Sequence, residues 1–108
     1  MAEEQLGTVS IAPGVLATIA SLTALAVPGV ARLGGTGMSR LIGRERPSEG
    51  VKVQLKDEAV GVDVFLVVAA GHNMYQVGAQ VQKEISKAIR QMVGMPVQEV
   101  NVYIQDVV

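Results

Sequence analysis

Residues 71–82 read GHNMYQVGAQVQ and hold the one histidine of the chain, His72. An imidazole changes charge near neutral pH, so it can serve as a general base or a metal ligand. Either role needs company. A base needs a nucleophile or an orienting carboxylate beside it, and a zinc site needs several nitrogen or sulfur ligands. The sequence has no cysteine, and Ser10, Ser21, Ser39, Ser48 and Ser86 lie in no nucleophile-elbow context. The simpler reading makes GHN a strand-to-helix turn, with Asn73 as N-cap and Gln76 three positions on at capping-box spacing. No catalytic residue, cofactor or metal is expected.

Two other stretches could bind. GGTG (34–37) has the bare G-x-x-G spacing of a phosphate-gripping loop, and Arg32, Arg40, Arg44 and Arg46 lie around it. Backbone amides in such a turn can cradle an anion. No Lys-Ser/Thr pair follows, so it is no nucleotide-binding P-loop, and a flexible glycine-rich loop is the plainer reading. These four arginines remain the candidate anion or nucleic-acid contacts. The second stretch is a pair of strands that bring Phe65, Val67 and Tyr103 to one sheet face, near Lys52, Asp63 and Asn101. Aromatics on an open sheet can stack bases or anchor a protein contact. Asp63 among them favours protein, and Phe65, Val67, Tyr103, Asn101 and Lys52 form the expected self-association face.

Composition bounds these roles. The chain has 108 residues, 49% hydrophobic and 18% charged, with net charge −1. That fits one folded domain without a basic field to attract nucleic acid or anionic lipid. Absent cysteine fits a reducing compartment. VLATIASLTALAV (15–27) is uncharged, but a spanning helix needs about 20 residues. Pro13 and Pro28 bracket it and Glu3 and Glu4 precede it, so a buried core helix is expected, with no direct membrane insertion.

The elements that must position these residues follow from periodicity. Residues 1–5 read as a polar tail. LGTVSIA (6–12) alternates and reads as a strand, Pro13 opens a helix to about Leu25, and Pro28-Gly29 marks a turn. Residues 32–50 hold five glycines and four arginines and read as a flexible loop (34–50 at its core), with a short helical piece at 38–42. VKVQLK (51–56) sets Val51, Val53 and Leu55 inward. A turn at 57–59 leads to a strand over 60–70, whose Val60, Val62, Val64, Leu66 and Val68 oppose Gly61, Asp63, Phe65 and Val67. Val77, Val81, Ile85, Ala88 and Met92 then form a helical stripe that ends at Gly94 and Pro96. EVNVYIQDVV (99–108) closes as a strand. The expected fold is α/β in the α+β sense: a two-layer βαββαβ sandwich, with two helices on one face of a mostly antiparallel four-stranded sheet. Residues 6–108 make a single domain.

Taken together, GTVSIAPGVLATIA, VPGVARLGG, the Gly71–Asn73 turn, Val81-Gln82, Met92 with Gly94, and Val100-Asn101-Val102 resemble the alkaline-shock-protein family of bacterial envelope stress response proteins. The resemblance spans nearly all of the chain outside 36–50. It implies a non-enzymatic cytoplasmic protein of Gram-positive-type bacteria that self-assembles. It also implies an integral membrane anchor protein as partner, holding the chain at the inner face of the membrane in cell-envelope homeostasis. The chain departs from that pattern in its Gly/Arg-rich central loop and its nearly absent charged tails. The alternative is a small RNA-binding module using the loop arginines and the sheet-face aromatics.

Overall fold

A computed structural model describes residues 6–35 and 50–108. The helix expected after Pro13 is α1, Pro13–Leu25, with the proline in its first turn. It is followed by β1 (Val30–Leu33), β2 (Val51–Lys56), β3 (Ala59–Val68), α2 (Met74–Met92) and β4 (Val97–Val107). Among the described residues there are two helices and four strands, in the order αβββαβ. Residues 6–12 are extended and lie in no sheet, because alternation makes a strand only where a partner supplies hydrogen bonds. The first strand is instead β1, four residues inside the segment expected to be turn and loop. The short helix expected at 38–42 lies outside the described residues.

Strand β3 organises the sheet. It pairs antiparallel with β1 at Leu66, Val67 and Val68 and antiparallel with β2 from Ala59 to Val64. Along its other edge it runs parallel to β4 from Val60 to Val68. A strand has only two edges, so β1 and β2 share one of them end to end. The break between them falls opposite Phe65, whose carbonyl accepts from the Gly34 N–H at 2.7 Å and whose N–H donates to the Gly50 carbonyl at 2.8 Å. Here Gly50 is required: it has φ +84°, and a Cβ on it would collide with the Gly34 carbonyl oxygen.

Both helices cover one face. The side chains of Val60, Val62, Val64, Leu66 and Val68 meet Leu16, Ala20 and Ala24 of α1 and Val77, Val81, Ile85 and Ile89 of α2 in a single aliphatic core. Each fully buried Val or Ile there contributes about 1.5–3 kcal/mol relative to exposure. The α2 stripe closes on Ile89, one turn past Ile85, and Met92, the last residue of the helix, is exposed although the helical period keeps it on the same side. Leu55 also departs from expectation and is exposed, at the hairpin end of β2.

The local signals explain the element ends. The Asn73 side chain accepts from the Gln76 N–H at 3.0 Å and starts α2. His72 lies in the turn before it, packed over Gly29, so that stretch is where a helix begins. The β2–β3 turn is carried by Asp57 and Glu58 at φ +48° and +68°, the mirror-image turn that suits a two-residue hairpin.

Candidate functional site: the open face of the sheet

With the helices on one side, the other face presents cross-strand rows read directly from the register. Gln54, Gly61 and Glu99 form one row, and Lys52, Asp63 and Asn101 the next. Phe65 and Tyr103 follow, and Arg32 then stands opposite Val67. Non-neighbouring segments thus converge on one surface because β3 holds a strand on each edge.

The aromatic row is its centre. The Phe65 and Tyr103 rings are stacked, with centroids 5.0 Å apart and planes 19° from parallel. A pair at that spacing contributes about 0.5–1.5 kcal/mol beyond area burial. Phe65 is half-buried between its neighbours, while Tyr103 remains 47% exposed. Beside them the Asn101 amide nitrogen donates to Asp63 Oδ1 at 3.0 Å and to Glu99 Oε2 at 3.2 Å. One amide therefore holds two carboxylates together, and this polar row is pinned rather than free to rearrange. Lys52 is exposed at the edge of the same row.

Val67 is a correction. It faces the same side as Phe65 but is only 1% exposed, so it cannot be a contact residue. The side chain of Gln105 reaches across to Gly34, onto the space a Cβ there would need. Arg32 stands opposite Val67 on the other edge, and a bulge before Asp106 brings extra chain to this end of β4. Of the four arginines, Arg32 lies in β1, exposed at the rim of the open face. Arg40, Arg44 and Arg46 lie outside the described residues.

The sequence reading missed one surface. Helix α1 was expected to be buried, yet only Leu16, Ala20, Ser21 and Ala24 are. Val15, Leu22 and Leu25 are exposed on its outer side, and Ile11 just before it is exposed too. The 4-3-4-3 spacing of Ile11, Val15, Thr18, Leu22 and Leu25, with no charge from Pro13 to Leu25, was the available signal. An open groove of about 450 Å³ lies beside this helix, between Leu22, Pro28 and Gln80. Its one carboxylate, Glu84, accepts from the Gln80 amide at 2.8 Å and has no base or nucleophile near it among the groove's lining residues.

Among the described residues, no cluster of three or more His, Cys, Asp or Glu side chains could hold a metal ion, and no helix is long and apolar enough to cross a membrane. Over residues 1–108 the chain matches the alkaline shock protein 23 family, whose described role is a cell envelope-related function. The chain belongs to this family. Within the alkaline shock protein 23 family it is similar to YqhY of Bacillus subtilis, 36% identical over 105 residues that cover 94% of this chain and 78% of YqhY. YloU of the same organism is 26% identical over 94% of this chain and 88% of YloU. Spy1535 of Streptococcus pyogenes is 26% identical over all of this chain and 84% of Spy1535. All three are described as uncharacterized, and nothing in the family description indicates enzymatic activity.

Among solved structures, a MamM-CTD variant superposes with a TM-score of 0.55 at 12% identity, covering 88% of this chain and 98% of that one. MamM-CTD itself gives 0.54 at 11% identity, over 86% and 96%. At such identity the likeness shows the fold alone. It is the fold that the alkaline shock protein 23 family member has here: two helices on one side of a small, mostly antiparallel sheet.

Proposed function

We propose that this protein is a non-enzymatic scaffold of the cell envelope that works by self-association through the open face of its sheet. The observation that carries the reading is the stacked Phe65–Tyr103 pair, with nearly half of Tyr103 exposed on a face that no described part of the chain covers. An amphipathic ring at the centre of a flat face, rimmed by Lys52, Asn101 and Arg32, has the anatomy of an anchor inside a polar rim. Placement at the inner face of the membrane comes through an integral membrane partner protein, in line with the envelope-related role of the family.

The RNA-binding alternative uses the same aromatics with Arg32 at the rim. Asp63 and Glu99, held side by side by Asn101, put two carboxylates on the face that a phosphate backbone would have to approach. Sedimentation velocity on nuclease-treated protein over a wide concentration range separates the readings. A mass that rises with concentration, and falls back for Tyr103→Asp while the fold is retained, supports the scaffold. A monomer that binds RNA with steep salt dependence supports the alternative.

A further inference from the structure

Two features of the chain fit one another, and among the described residues neither pairs with a further strand. The first is the segment 6–12. It is extended, belongs to no sheet, and holds Leu6 at 86% and Val9 at 95% exposure. Its Val9 and Ile11 alternate with Thr8, Ser10 and Ala12, the composition and period of a strand with one apolar side. The second is the outer edge of β4. This strand is 11 residues long and, among the described residues, pairs with β3 alone. The Gln82 amide nitrogen donates to the Val100 carbonyl at 3.0 Å from helix α2, so the backbone of Val100 faces outward. The alternation of a strand turns the N–H and C=O of Val102 and Ile104 the same way.

We propose that residues 6–12 of one copy add as a strand to the β4 edge of a second copy. The two outer edges of the sheet, unpaired among the described residues, differ in what they can accept. The β1–β2 edge carries Lys52 and Lys56 on the six residues of β2 and is interrupted between Gly34 and Gly50. Lysines and breaks of this kind protect an edge from pairing. The β4 edge has no Lys or Arg from Val97 to Val107, and it stays regular between its two bulges, from Glu99 to Ile104. Val102 and Ile104 are only partly buried against the core. A strand placed there with Val9 and Ile11 on the helix side covers them, and sets Thr8 and Ser10 beside Asn101 and Tyr103.

The geometry favours a second copy over the same one. Helix α1 packs on α2, β1 and β2, across β3 from β4. Ala12 is still extended, at φ −65° and ψ 144°, where Pro13 begins the helix. A strand that folded back beneath its own helix needs a connection of about 2–6 residues, and none separates 6–12 from α1. The arm rests on the self-association reading above but uses an edge, where that reading uses a face.

Amide hydrogen exchange, followed alongside sedimentation at the concentration where the full chain associates, tests the arm. Ser10→Pro removes a ladder donor from a segment that makes no fold of its own, so the domain stays intact. The expected result is slow exchange at Val102 and Ile104 in the full chain, and at least tenfold faster exchange in Ser10→Pro and in a chain lacking residues 1–12. Unchanged β4 exchange in an associated Ser10→Pro overturns the arm and leaves the scaffold standing. A full chain that is monomeric at every concentration overturns both.

Discussion

The two faces of β3 carry side chains from the same strand and do different work. The helix-covered face is uniformly aliphatic, with Val60, Val62, Val64 and Leu66 all at 0–1% exposure. The open face reads Gly61, Asp63, Phe65 and Val67, and it combines a glycine, a pinned carboxylate, a stacked ring and a covered valine. Hydrocarbon burial explains the first face completely. The second has an order of its own: the Asn101 bridge and the ring stack fix the arrangement of its side chains. The difference teaches that this domain keeps stability on one face and specificity on the other.

That separation can be broken from either side. Ile85→Ala, at a fully buried α2 position, is expected to cost about 2–5 kcal/mol of folding stability. Its denaturant midpoint falls, while association of the remaining folded protein stays as in the wild type. Tyr103→Ala is expected to do the reverse: it loses about 0.5–1.5 kcal/mol from the ring pair, and its sedimentation profile moves toward monomer. Asn73→Ala removes the α2 cap and is expected to cost about 1 kcal/mol with no change in association, as read by thermal unfolding and light scattering. Glu58→Gly relieves a left-handed residue in the hairpin turn. It is expected to gain up to about 1 kcal/mol, again without touching association. If the first and last variants shift assembly as much as Tyr103→Ala does, stability and association are not separate.

Much of this fold was legible in the sequence, for physical reasons that differ by element. Helix α2 announces itself through a cap at Asn73, a stop at Gly94 and a stripe of period 3.6, all of them local. The hairpin is equally local, since alternation and turn adjoin. Strand β1 was not legible: four residues after Pro28-Gly29, in a run rich in glycine and arginine, become a strand only because β3 offers them an edge. The reverse error at 6–12 has the same cause, since that segment has the pattern but no partner strand among the described residues. The candidate site was readable as an aromatic pair because period-2 alternation fixes which residues share a face. The burial of Val67 was not readable. Alternation tells which face a residue joins and not how deeply it is covered there, and Val67 is 1% exposed.

The most direct test of the central claim needs no mutation. Backbone amide chemical shifts followed by NMR as the protein is concentrated report which residues meet another copy. The open-face account predicts that Lys52, Asp63, Asn101 and Tyr103 shift or broaden first, while Lys83 and Lys87 on the wet side of α2 stay fixed. Changes confined to Val15, Leu22 and Leu25 on the outer side of α1, with the sheet face unmoved, would contradict it.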